Sequence, residues 1–132
     1  MISKSICQTL KANSELATLA GGAARFFAEN GVGDMTVTVL TITPSLETSE
    51  IPDVVRATMQ IIIQGYAIDS GEVLGVKIIN AINALAGTQL AVDNWVYGVK
   101  SVSFAGMPAY VPQGNAFTIN FVIVYSQDLI AE

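Results

Sequence analysis

QIIIQGYAIDSGEVLGVKIINAINALAG, from Gln60 to Gly87, decides how this chain is read. Its first half belongs to a longer alternation over Val54 to Ile68. Ala57, Met59, Ile61 and Ile63 fall on one face, and Arg56, Thr58, Gln60, Ile62 and Gln64 on the other. Residues two apart share a face of a strand, so this one has a buried face and a partly wet one. Gly65 weakens the strand and suggests a bulge or a close backbone approach. Asp69-Ser70-Gly71-Glu72 then fits a helix start, with Asp69 as the cap and Glu72 reaching back. Leu74, Ile78, Ala81, Ile82 and Leu85 make an apolar stripe, and Gly87 suits the left-handed residue that ends the helix.

Working outward, Met35 to Thr43 (MTVTVLTIT) is strand-like, because β-branched residues dominate and no helix breaker intrudes. Neither of its faces is polar, which predicts cover on both sides. Trp95 to Phe104 and Phe117 to Ser126 read as two further strands. Phe117, Phe121 and Tyr125 alternate toward a core, and Trp95 is expected there too. Near the start, Ile2, Ile6 and Leu10 lie four apart with Cys7 beside them, the spacing of a helix face. Ser3 and Ser14 are candidate caps. Gly21-Gly22 marks a turn, and Ala24 to Phe27 a short strand.

Two connections stand out. Pro44 to Pro52 is a polar loop with Glu47, Glu50 and Asp53 toward its far end, compatible with a long hairpin arm. AGMPAYVPQGNA, from Ala105 to Ala116, is a loop of the length that usually makes contacts. The order is helix, two long strands, helix, two strands. The expected fold is one α+β domain over 1–132, with a mainly antiparallel four-stranded sheet and two helices on one face.

Composition narrows the function. Of 132 residues, 52% are hydrophobic and 13% charged, against about 25% charged in an average globular chain. Mean hydropathy is +0.52. Ile61 to Ile63 is bracketed by glutamines, and Val73 to Ala86 contains Lys77, Asn80 and Asn83. Neither run approaches the ~20 apolar residues of a membrane span. The expectation is a soluble subunit that hides apolar surface in a homo-oligomer, without a membrane. No signal peptide is legible, which points to the cytoplasm. The net charge of −5 and six dispersed basic residues argue against a nucleic-acid-binding patch. An acidic channel wall past which DNA slides remains compatible.

The residues offer no catalytic, cofactor or metal constellation. Histidine is missing, and Cys7 is the lone cysteine, expected to pack as a small hydrophobe. Glu47, Glu50 and Asp53 lack the glycine-punctuated spacing of a calcium loop. Asp69 and Asp93 are better read as a helix cap and a turn than as bases beside a nucleophile. Gly71 and Gly75 frame GEVLG without a phosphate-loop pattern. An enzyme is therefore not expected. The residues singled out for an interface are Arg56, Gln60, Gln64, Glu47, Glu50 and Tyr110.

The run Gln60-Ile61-Ile62-Ile63-Gln64-Gly65, followed by Asp69 and a helix through Ile78 and Ile82 to Leu85-Ala86-Gly87, resembles the tail terminator proteins of long-tailed bacteriophages. These are also called tail completion, minor tail or minor capsid proteins. The resemblance covers the whole chain as element order and roughly Arg56 to Gly87 as sequence. The Gly- and Ala-rich stretch from Gly21 to Gly33 departs from it. It implies a structural virion protein that forms a ring, usually hexameric. That ring would cap the tail tube, stop its polymerisation and meet the head-side connector, with DNA only passing through the lumen. The place implied is the tail or neck of a virion assembled in the host cytoplasm. The Thr36, Thr38, Gln60 and Gln64 face would meet the tube or a neighbour, and the Pro44 to Pro52 arm would contact the next ring or line the channel. Other readings are a different neck or tail protein (a head-tail stopper or a tube subunit) and a small-ligand-binding α+β oligomer.

Overall fold

The computed structural model of the chain describes residues 2–46 and 54–129. Three helices are present: α1 (Ile2–Ala12), α2 (Ser14–Ala20) and α3 (Ile68–Asn83). The seven strands are β1 (Phe26–Ala28), β2 (Thr36–Leu46), β3 (Val54–Gln64), β4 (Gln89–Val92), β5 (Trp95–Phe104), β6 (Ala109–Val111) and β7 (Ala116–Leu129). They form one mixed sheet in the order β1-β2-β3-β7-β5-β4, with β6 also on β7. Only the β1–β2 pair is parallel. The expected four-stranded sheet with two helices is thus replaced by seven strands and three helices.

The added strands are three or four residues long. At that length a period-2 pattern scarcely exists, and long-range pairing decides the conformation. β1 follows a single 3-10 turn at Ala23–Arg25 and pairs with Val37 to Val39. β4 and β5 form a hairpin across Asp93-Asn94, with Val92 opposite Trp95 and Asp93 at φ 54°. β6 occupies part of the long loop, at Ala109–Val111.

The sheet curls around its helices. α1 packs against β1, β2 and β4, which lie at or next to opposite ends of the strand order. α3 packs on β7, β5 and β3 at the middle. The core lies in this concavity. Ala57, Met59 and Ile61 are wholly buried and Ile63 nearly so, facing Ile78 and Ile82 of α3 and Ile6 and Leu10 of α1. Cys7, Phe117, Phe121 and Tyr125 are buried there as expected, and Trp95 packs against the core at its margin. Phe104 meets Phe121 with ring centroids 5.2 Å apart, and Tyr97 meets Tyr125 edge-on at 5.5 Å.

Several local details depart from the sequence reading. β3 stops at Gln64, and α3 begins at Ile68. The helix N-cap is Ala67, with no side-chain cap, so the Asp69–Glu72 capping box does not form. Gly65 explains the shift. It sits at φ 87°, and a Cβ there would run into the Asp34 carbonyl. The chain must turn there and reaches helical geometry two residues early, at Ile68 rather than Ser70. At the other end, Asn13 rather than Ser14 caps α2, its Oδ1 accepting from the Leu16 N–H at 3.1 Å. Ser3 lies inside α1, buried, with an unpartnered hydroxyl.

Candidate functional site

One face of the sheet carries all three helices, and the other carries none among the described residues. This outer face is built by alternation. On β3, Arg56, Thr58 and Gln64 are exposed and Gln60 and Ile62 half-buried, while their neighbours in sequence point to the core. On β7, Thr118, Val122, Val124 and Ser126 are half-buried and Asn120 is exposed. β5 adds Ser101 and Ser103 beyond a bulge at Lys100. Ile42 stands at a bulge in β2 and is 52% exposed. The face is therefore mostly uncharged, a mixture of amides, hydroxyls and short aliphatics.

Its expected residues do not all share it. Gln60 donates to Asn120 Oδ1 across the β3–β7 pair at 3.1 Å. Gln64 reaches the Gly114 carbonyl at 3.4 Å, at the end of the same row. Arg56 is level with Val124 and Ser45. These three lie along one strip. Tyr110 is elsewhere. It pairs opposite the core residue Phe117, ring centroids 5.0 Å apart, and its hydroxyl contacts Asn115 Oδ1 at 3.1 Å. It therefore belongs to the helix-bearing face, at its rim. Glu47, Glu50 and Asp53 lie outside the described residues.

Thr36 and Thr38, expected on the open face, are buried. The 29–35 loop folds over them, with Gly31 against Thr38 so closely that no Cβ would fit. This covers β2 at its beginning, whereas further along Leu40 is half-buried and Ile42 exposed. The sequence signal was available in Gly31 and Gly33, whose small size suits a loop laid on a sheet.

The helix face has its own close approach. A Cβ on Gly71 would stand 2.8 Å from the Phe117 ring, and one on Gly75 3.0 Å from Pro108. The two glycines, four apart on one side of α3, let β7 and the 105–108 segment pack onto the helix. They serve packing. Exposed Ile68, Met107 and Val111 also lie on α3 and the 105–111 segment.

Titration adds no reactive centre. Burial pushes the Cys7 thiol up, opposed by the weaker pull of Lys11. Tyr125 is pushed up to about 12, first by burial and then by Tyr97. Both groups are held in their neutral, inert forms near neutral pH. No cluster of three metal-ligating side chains occurs among the described residues. No described helix is long and apolar enough to cross a membrane.

No known family matches the sequence, and no curated protein matches it. Solved structures do share the fold. One is a chain from the virion of a native gene transfer agent particle, at 15% identity and a TM-score of 0.61, over 95% of this chain and 92% of that one. A second matches at 14% identity and a TM-score of 0.59, over 99% and 96% of the two chains. At such identities the likeness is one of fold, and it runs nearly end to end in both chains.

Proposed function

We propose that this chain is a non-enzymatic structural subunit of a phage-like virion, and within it the tail terminator. In this reading, copies close into a ring on the last ring of the tail tube, stop its growth and present a surface to the head-side connector. The observation that carries the proposal is the end-to-end likeness of fold to a gene transfer agent virion chain. The helix-free face supports it, since a face of amides, hydroxyls and aliphatics suits contact with protein more than with solvent or nucleic acid. Arg56, Gln60 and Gln64 are the residues placed to make that contact. DNA passes through the lumen without a dedicated site, in keeping with the acidic balance of the chain.

The test is solution mass by light scattering with negative-stain microscopy, for the chain alone and with its cognate tube protein. Discrete rings, or monomers that form a ring only at tube ends, support the reading. Long tubes from the chain alone would instead make it a tube subunit. A stable dimer or trimer indifferent to tube protein would sink both.

A further inference from the structure

β2, β3, β7 and β5 are in register across a band of the sheet. Thr41 is level with Met59, Phe121 and Phe104, and Pro44 is level with Ala57, Ile123 and Val102. Across this band both edges are bare of other strands among the described residues. β1 pairs with β2 only as far as Val39. β4 pairs with β5 only as far as Gly98, with Thr88 accepting once more from the Val99 N–H. The band is therefore a four-stranded antiparallel ribbon, open on two sides at one height.

Its edges are unlike. Ala105 donates its N–H inward to Asn120 at 2.9 Å. By alternation, the N–H and C=O groups of Val102 and Phe104 aim away from β7. That edge, Ser101 to Phe104, has no charge and no proline, the usual guards of an exposed strand. The β2 edge is poor in donors: the Thr41 N–H is taken by Glu29 Oε2 at 3.1 Å, and Pro44 has none. The carbonyls of an edge strand still accept. One edge offers donors, and the other mainly acceptors.

We infer that the β5 edge of one copy pairs with the β2 edge of a second copy, continuing the sheet from subunit to subunit. β2 and β5 run in opposite directions within the chain, so the junction is antiparallel. At the level register, the Val102 and Phe104 N–H groups donate to the Pro44 and Thr41 carbonyls of the next copy. Two different edges meet, so the contact is heterologous and closes only as a ring. This deepens the ring reading and rests on it.

The experiment joins positions 43 and 103, which are level in the register, in a Thr43→Cys, Ser103→Cys chain. Cysteines on directly opposed strand positions are close enough to bridge. Oxidation of the concentrated chain should give a ladder of covalent multimers on a non-reducing gel. Neither single variant should give one, and buried Cys7 should stay silent. Adding Val102→Pro, which removes an outward N–H and no inner bond, should abolish the ladder. Hydrogen exchange of the wild-type chain gives a check independent of the variants: the Val102 and Phe104 amides should become protected on assembly. Rings that form without that protection or ladder would overturn the edge pairing while leaving the terminator reading intact. A chain that stays monomeric and unladdered at every concentration would overturn the pairing, and the tube-end experiment would still decide the terminator reading.

Discussion

Ala67 precedes α3 with extended backbone (φ −58°, ψ 149°) and no side chain to accept the orphaned N–H groups of the first turn. Ala67→Asp should therefore stabilise the protein by about 1 kcal/mol, the usual worth of an N-cap, measured by denaturant unfolding. Ser3 presents the opposite case. Its hydroxyl is buried without a partner, and Ser3→Ala should leave stability unchanged or raise it by ~1 kcal/mol, because a desolvated hydroxyl is removed. Gly71→Ala would help an isolated helix, but here the new methyl meets Phe117, which has nowhere to go. The expected net result is a loss of ~1–3 kcal/mol. Tyr125 makes stability depend on pH at the alkaline end. Tyr125 titrates near 12 in the fold against about 10 in an unfolded chain. The folded state keeps its proton longer, so stability attached to this group is full below pH ~10 and falls as pH rises toward 12. Unfolding curves across that range, beside Tyr125→Phe, check the sign.

At the scale of elements, what could be read from sequence depended on length. The 11-residue β3 declared its buried face through Ala57, Met59, Ile61 and Ile63, because five alternations leave little doubt about period. β4 and β6 had no such signal, and β1 showed only as the short strand expected over Ala24 to Phe27. Phe26-Phe27-Ala28 becomes a strand because β2 lies beside it, and Gln89 to Val92 because Asp93-Asn94 turns it back onto β5. Missing β4 and β6, and leaving the strand near Phe26 out of the sheet, meant missing the curl of the sheet, and with it the way α1 touches both ends. The α3 start was misplaced by two residues because capping chemistry at Asp69 lost to the close packing of Gly65 against Asp34. Of the candidate site, the Arg56, Gln60 and Gln64 strip was legible as one face of β3. The burial of Thr36 and Thr38 leaves no period of its own, since a loop folds back on the strand, and its only signal was the pair Gly31 and Gly33 in that loop. Two ion pairs between elements, Lys4–Asp93 at 2.9 Å and Lys77–Glu15 at 3.2 Å, are exposed. Replacing either lysine by alanine should change stability by no more than ~1 kcal/mol, and less in high salt.

For the whole molecule, the low charge of the chain and the layout of its sheet lead to the same expectation. All the described helices lie within the concave side, and the convex side presents a mostly uncharged strip, with Arg56 at one end, flanked by two edges bare of other strands among the described residues. Such a subunit has obvious places to meet others and few charges to discourage them. A terminator needs two kinds of contact, around a ring and along the tail axis, and the edges and the outer face are separate surfaces suited to one each. Introducing negative charge with Gln60→Glu and Gln64→Glu should then spare ring formation while weakening capture of tube ends, read by counting capped tubes. The most direct test is to label the chain with gold in the particles that contain it and locate it by electron microscopy. The account predicts a single ring of label where the tail meets the head. Label spread along the tail, or missing from the particle, would contradict it.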